Sequence, residues 1–448
     1  MPSVEFVGQS GRDPDNIAAQ PSRLVNMYRE PVSAPEGRTV YSLKSVLGLR
    51  TFAEVGGVFV RAMRQVNAAL YVLCNGRVYE IADDGSVTDR GAADDSAQAS
   101  ISGNNGDVLF VTGGKYYRWN GTSLTEPTAG AFSSFGSVEF IGNYTVLTEL
   151  NGRRFQWSDL ADASDLPGLN FSTADGRDDN IIRALQINGY LYLFKETSYE
   201  VWYLTGGGGA EAFERSAGGV VDVGLKSFGL IERFDGGAAM VGDDGRFYLV
   251  SQGLQPVSTP AVETAIAHCD PQAVITYEDE GHTFLAIVFT DCPAWVYDLA
   301  TGEWHERAQG DDLSPWRVSV TARFGSKWYA ARSGGEILEF ARTNADGGLP
   351  LVRRAVSRPL YMDGRRFVCR ELEIFPRQGF AAGSVMLRLS RDSGLTWGAP
   401  KVRSWGVGEY AKRIIWRQMG EFRQMVAELT ISDAIECSLN ATARVEVG

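Results

Sequence analysis

Seven copies of one unit, a strand, a tight turn and a second strand, recur along most of the chain. The clearest copy is Ala69-Leu-Tyr-Val-Leu-Cys-Asn-Gly-Arg-Val-Tyr-Glu-Ile81, two alternating stretches around Asn75-Gly76, a pair suited to the positive backbone angles of a hairpin turn. It returns over Asp107 to Trp119, Tyr144 to Trp157 and Met240 to Val250. Looser copies are Tyr190 to Phe194 with Tyr199 to Tyr203, Thr283 to Phe289 with Trp295 to Tyr297, and Trp328 to Arg332 with Glu336 to Phe340. Turn centres fall about 38 to 48 residues apart, the length that a four-stranded propeller blade uses. A solenoid would repeat faster, and stacked sandwiches need no period. The predicted fold is all-β: a β-propeller of about seven blades, regular or irregular, over residues 52–346. Four turns carry Gly-x-x-aromatic (Gly76 to Tyr79, Gly114 to Tyr117, Gly152 to Phe155, Gly245 to Tyr248), and the aromatic is expected between adjacent blades.

The flanks differ from the repeat. Residues 1–51 hold Pro14, Pro21, Pro31 and Pro35 with little periodicity and read as an extended N-terminal arm. After the turn-rich Asn344-Ala-Asp-Gly-Gly-Leu-Pro350, alternating stretches at Phe367 to Phe375, Val385 to Ser390, Arg413 to Trp416 and Phe422 to Ile431 predict a small C-terminal β-sandwich over 347–448. Charge divides along the same line. The formal net charge of −12 combines −18 over residues 1–348 with +6 over 349–448. An acidic body argues against a protein that grips nucleic acid, and a basic end implies a different neighbour there.

The five cysteines are scattered, without a CxxC pair, and are expected as reduced thiols of a protein folded in a cytoplasm. No charged-then-apolar leader and no run of ~20 apolar residues is present, so neither a secreted precursor nor a membrane-inserted chain is expected.

Candidate chemistry is sparse. Ser390-Arg-Asp-Ser-Gly-Leu-Thr-Trp397 matches the Asp box, a hairpin device familiar from sialidases in which the carboxylate accepts turn amides. It occurs once, outside the repeat, and it is the sole support for an alternative function as a carbohydrate-binding or glycoside-cleaving propeller. His268, Cys269, Cys292 and His305 fit no zinc spacing. Paired acids such as Asp83-Asp84, Asp94-Asp95, Asp178-Asp179, Asp243-Asp244 and Asp311-Asp312 recur near turns and read as turn formers rather than calcium ligands. Thr205-Gly-Gly-Gly-Gly-Ala210 lacks the ending of a phosphate loop. No catalytic residue, metal or cofactor is expected, and the protein reads as a non-enzyme.

Three stretches resemble the packaged-DNA stabilisation proteins of short-tailed bacteriophages, also called tail accessory or nozzle proteins. Arg23-Leu-Val-Asn-Met-Tyr-Arg-Glu-Pro31 with Ser45-Val-Leu-Gly-Leu-Arg-Thr-Phe52 is similar to the family's opening segment, with Leu47 where proline is usual. Ser198-Tyr-Glu-Val-Trp-Tyr-Leu-Thr-Gly206 resembles a mid-propeller strand and loop. Tyr410-Ala-Lys-Arg-Ile-Ile-Trp-Arg-Gln-Met-Gly-Glu-Phe-Arg423, with the closing Ala441 to Val447, resembles the C-terminal segment and is the most specific match. The resemblance implies a virion tail protein, assembled in the host bacterial cytoplasm, that forms a homohexameric ring below portal and adaptor rings. Such a ring continues the DNA channel, retains the packaged genome and offers sites for a tail needle, fibre or spike. Double-stranded DNA would pass through the lumen without specific binding. Within that reading Arg413, Trp416, Arg417 and Arg423 are the candidate subunit interface, because Arg and Trp are common interface anchors; the alternative is that Trp416 is core.

Overall fold

Each predicted hairpin becomes the second and third strands of a four-stranded antiparallel blade in the computed structural model, which describes residues 3–8, 11, 22–33, 39–96, 98–128, 130–362, 364–380 and 382–448. In the first blade Val60–Val66 is innermost, Ala69–Cys74 and Arg77–Ile81 form the hairpin, and Val87–Ala92 lies outermost. Asn75 and Gly76 both take positive φ, 47° and 70°, so the turn follows the twist of its strands. Blades two to five begin at Ser100–Asn104, Phe135–Ile141, Ile181–Ile187 and Ile231–Phe234 and follow the same order. The sixth runs Pro271–Asp279, His282–Phe289, Ala294–Asp298, Glu303–Gln309, and the seventh starts Val318–Phe324, Lys327–Arg332, Glu336–Ala341. Inner strands of successive blades pack on one another from blade one to blade four and from blade five to blade seven, and Val318–Phe324 returns to Val60–Val66. Blades four and five are tied by Arg183, whose Nη1 donates to Ile231 O at 2.9 Å.

The aromatic after each turn glycine sits between blades. Tyr117 is buried with Tyr71 and Phe110 where blades one and two meet, Phe155 packs edge-on to Trp202 at 4.9 Å, and Tyr248 joins the core shared by blades four to six. Tyr79 lies partly buried against the core of blades seven and one.

The N-terminal arm is not merely extended. Gly48–Glu54 pairs with Glu336–Ala341 as the outer strand of blade seven, so the propeller begins at 48 rather than 52. Arg23–Val25 pairs in parallel with the outer strand of blade six, Val25 opposite Glu306, and antiparallel with Arg353–Val356 of the sandwich. One sheet therefore runs from blade six through the arm into the C-terminal domain. Met27–Ser33 and Thr39–Ser45 form a hairpin extended by Ser438–Asn440, and Ser3–Glu5 lies beside Thr442–Val447. Arg23–Val25 and the start of Met27–Ser33 lack alternation because residues 24–29 are buried without a break, as in strands covered on both faces. Pro31 lies on a strand at the sheet's edge, where a missing N–H is tolerated; Pro14, Pro21 and Pro35 fall outside the described residues.

The sandwich has one sheet of Ser3–Glu5, Thr442–Val447, Phe367–Ile374 and Ile414–Phe422. Facing it are Arg353–Val356, Gln424–Ile431, Ser384–Ser390 and Lys401–Ser404, with Leu372, Leu387, Trp405, Trp416 and Leu429 between.

Scattered thiols are corrected for one pair. Cys269 and Cys292 are disulfide-bonded with Cα atoms 6.1 Å apart: Cys269 follows the helix Pro260–His268 leading into blade six, and Cys292 sits in the turn after its second strand. Their spacing of 23 residues hides a proximity that only strand pairing creates. Cys74, Cys369 and Cys437 are free and buried. Among the described residues no helix is long and apolar enough to cross a membrane.

Candidate subunit interface and interdomain joint

Strand parity separates the four predicted interface residues. Ile414–Phe422 is the edge strand of its sheet. Trp416 points inward, is fully buried and donates from Nε1 to Lys401 O at 2.8 Å, so it ties the two sheets together. The core alternative holds for Trp416, and it is not available to a partner as an anchor. Arg413 and Arg417 lie on the outward face. Arg413 donates from Nε and Nη2 to Glu373 at 2.7 Å each and from Nη2 to Glu371 at 3.2 Å. Arg417 reaches Glu371 at 3.1 Å. The Arg413 guanidinium holds the Glu373 carboxyl below the usual carboxylate range. More than half of both arginine side chains meets water, where such pairs contribute about 0–1 kcal/mol each. Arg423 is exposed in the turn between Ile414–Phe422 and Gln424–Ile431. The structure thus brings Arg413 and Arg417 together, leaves Arg423 at the strand's end and removes Trp416 to the core. Glu371 and Glu373 were the missed members; their alternation with Leu372 and Ile374 was the available signal.

A second constellation, at the joint of propeller and sandwich, was also missed. Asn26 is completely buried with φ 56°, a conformation asparagine tolerates better than most residues. Its Nδ2 donates to Ala308 O at 3.0 Å in blade six and to Val352 O at 2.7 Å beside the sandwich. Its Oδ1 accepts from Ala308 N at 3.1 Å. Arg23 grips Glu306 through two hydrogen bonds of 2.6 Å, a bidentate geometry among the stronger polar contacts, and Glu306 raises the arginine's pKa. Arg307, fully buried, stacks 4.0 Å from the Trp316 ring and donates to Leu47 O at 2.7 Å. Asn26 and Leu47 belong to the opening segment that carried the resemblance, so those residues stitch the arm to both domains.

A family model described as bacteriophage P22 Gp10, beta-propeller, matches residues 9–334, and one described as bacteriophage P22 Gp10, beta-sandwich, matches residues 353–447. The chain belongs to the bacteriophage P22 Gp10 family. It is accordingly a structural protein of a phage tail and a component of the virion. Both halves of the architecture, propeller and sandwich, are those of the Gp10 family. No curated protein matches the chain. Solved structures similar to it include YCF48 bound to D1 peptide (12% identity, TM-score 0.45, covering 66% of this chain and 98% of that one). YCF48 from Cyanidioschyzon merolae is similar at 11% identity and TM-score 0.45, covering 66% and 99%. A chain of the Mitotic Checkpoint Complex is similar at 13% and 0.43, covering 70% and 94%.

The remaining motifs of this Gp10-family chain have structural work. In the Asp box, Asp392 accepts from Ser390 Oγ at 2.7 Å and from Thr396 N at 2.8 Å, and also from the Thr396 hydroxyl. These bonds, the Thr396 hydroxyl first, pull its carboxyl down to about 2, and both oxygens are committed to the turn. Asp84, Asp244 and Asp312 each accept the amide two residues ahead, Asp243 accepts Gly224 N at 2.8 Å, and Asp179 accepts Thr197 N at 2.9 Å. His305 is buried against Phe284 and Tyr28, where desolvation lowers its pKa to about 3. Among the described residues the one His/Cys/Asp/Glu group tight enough for a metal is Cys269, Asp291 and Cys292, and its sulfurs are bonded to each other.

Proposed function

We propose that this chain forms the nozzle ring of a short-tailed phage, a homohexamer that continues the DNA channel below portal and adaptor rings. It retains the packaged genome, conducts it during ejection and seats a tail needle, fibre or spike. The role is structural and non-catalytic, with assembly in the host cytoplasm. The observation that carries this reading is membership of the Gp10 family over both domains. The architecture supports it: a ring component must hold shape under load, and here one continuous sheet joins propeller to sandwich. The −18 carried by residues 1–348 gives DNA phosphates little to adhere to as they slide. Arg413, Arg417 and Arg423 serve the subunit contact. Negative-stain imaging of the purified protein with its adaptor should show six-fold rings, and the double variant Arg417→Glu/Arg423→Glu should lower the hexamer fraction. Monomers under all conditions, or rings indifferent to both reversals, would overturn the ring reading and the arginine assignment respectively.

A further inference from the structure

The centre of the propeller is cationic although the body around it is acidic. The inner strands enclose a cavity of about 630 Å³. Five arginines line it; Arg61 pairs with Asp95 and Arg323 with Glu278, and the other three converge from different blades: Arg64 of blade one, Arg183 of blade four and Arg233 of blade five. Two glutamates answer them. Glu139 of blade three lies 3.5 Å from Arg64 Nη1 and 3.2 Å from Arg233 Nη1, and Glu232 lies 3.9 Å from Arg183 Nη2.

Position decides which charge a ligand would meet. The Glu139 side chain is 2% exposed, against 34% for Arg64 and 25% for Arg233. The carboxylate is the floor, and the guanidiniums stand between it and the cavity. One Glu139 oxygen is further engaged by the Phe140 amide at 3.0 Å, and Arg183 Nη1 is turned to the Phe228 and Ile231 carbonyls. Arg64 Nη1, which also donates to the Ile101 carbonyl at 3.0 Å, and Arg233 Nη1 face the shared carboxylate, and a guanidinium carries five N–H donors. Three cations over two anions leave an excess positive charge. Burial above all, with the neighbouring Arg233 adding to it, lowers the Arg64 pKa to about 10, as desolvation and a like charge each do to a cation. A further oxyanion at this point would relieve that repulsion and take the unused donors.

We propose that the propeller cavity is a receptor for a short acidic peptide segment of another virion protein, with a carboxylate seated between Arg64 and Arg233. A peptide is favoured over nucleic acid by size: the cavity lies in the range of small-ligand pockets, and a duplex whose major groove alone is ≈ 12 Å wide cannot enter it. Guanidinium forks match carboxylates bidentately.

The test uses the full-length protein and a fluorescein-labelled tetraglutamate peptide, followed by anisotropy at low ionic strength, with inorganic phosphate as competitor. Saturable binding of one peptide per chain is expected, weakening with salt. Arg233→Gln should weaken it about ten- to a hundredfold, the range for losing a hydrogen bond to a charged group. Arg233→Lys should lie between, and Glu139→Gln should tighten binding by uncovering more positive charge. The surface control Arg366→Gln, on the sandwich, should change nothing. Circular dichroism identifies any variant that has not folded, and each prediction is read on folded variants. No saturable binding to the wild type overturns the proposal, as does binding that ignores both Arg233→Lys and Glu139→Gln. Binding of phosphate in the cavity without the peptide also overturns it, in favour of a small-anion site.

Discussion

Replacing Asn26 with glycine removes the side chain that joins three segments while leaving the backbone its φ of 56°. Ala308 N, Ala308 O and Val352 O lose the partners they have at 3.1, 3.0 and 2.7 Å, at a position with no solvent exposure. A buried polar group left unpaired costs about 1–3 kcal/mol. Water entering the space left by the amide would satisfy part of the set, so the loss should be about 3–6 kcal/mol, comparable with the lower end of whole-domain stabilities of about 5–15 kcal/mol. Asn26→Ala should cost about 1–2 kcal/mol more, because alanine resists left-handed backbone. Asn26→Asp should be at least as damaging as the glycine variant, since it keeps the acceptor but turns lone pairs toward two carbonyls. Native-state hydrogen exchange suits the question, because a two-domain chain has no single unfolding free energy. The Ala308 amide should lose protection in the order glycine, then alanine, with its neighbours in blade six, while amides of blades two and three stay as they were. An Asn26→Gly protein within 1 kcal/mol of wild type at Ala308 would refute the claim that this side chain holds the joint.

Other expectations follow from buried charge and sulfur. His282 places Nδ1 2.8 Å from Asp298 and Nε2 2.9 Å from Glu30, and Asp298 leads in raising its pKa. Its contribution is therefore full below the ordinary histidine value of about 6.5 and is lost as pH rises through the raised one. The Tm gap between wild type and His282→Gln should be widest in mild acid and narrow toward alkaline pH, and a gap that grows with pH would refute the ion-pair account. Lys195, without exposure, lies 2.8 Å from Asp179 and 3.3 Å from Glu200. Lys195→Ala leaves Asp179 without its cation and Glu200 with Arg215 alone, at 3.4 Å, and should cost about 3–5 kcal/mol, read as lost hydrogen-exchange protection of blade-four amides; under 1 kcal/mol would show the site takes up water freely. Thiol titration of the denatured, unreduced protein should find Cys74, Cys369 and Cys437 and miss Cys269 and Cys292, whereas five reactive thiols would rule out the disulfide.

The blades were legible because their signals are local: in four of them a glycine turn, flanking alternation and an aromatic three residues on lie within one hairpin, and in the other three the paired apolar stretches do. What joins the ends is not local. Gly48–Glu54 finds its partner Glu336–Ala341 only after seven blades have curved back, and no periodicity within residues 1–51 encodes that. Burial on both faces erases the alternation by which a strand is recognised. The prolines then weighed more than they should, since Pro31 sits on an edge strand that does not need its N–H.

At the C-terminal site the necessary rule was available in the sequence. Along a strand, odd and even positions face opposite ways, so Arg413 and Arg417 share a side that Trp416 cannot, and Glu371 and Glu373 fall beside them through the pairing of Glu371 with Arg417. Composition hid this compensation. The +6 of residues 349–448 describes no uniformly basic face, because Arg413 and Arg417 are engaged by Glu371 and Glu373, and Arg388 by Glu428 at 2.5 Å. A partner meeting this sheet would find a ladder of paired charges flanked by the exposed Val368 and Val447, so apolar area would add to what the arginines contribute. Arg423, beyond the ladder in the turn, is the position whose reversal should alter assembly without first breaking an ion pair among the described residues. That is why it, rather than Arg413, separates an interface role from a stabilising one.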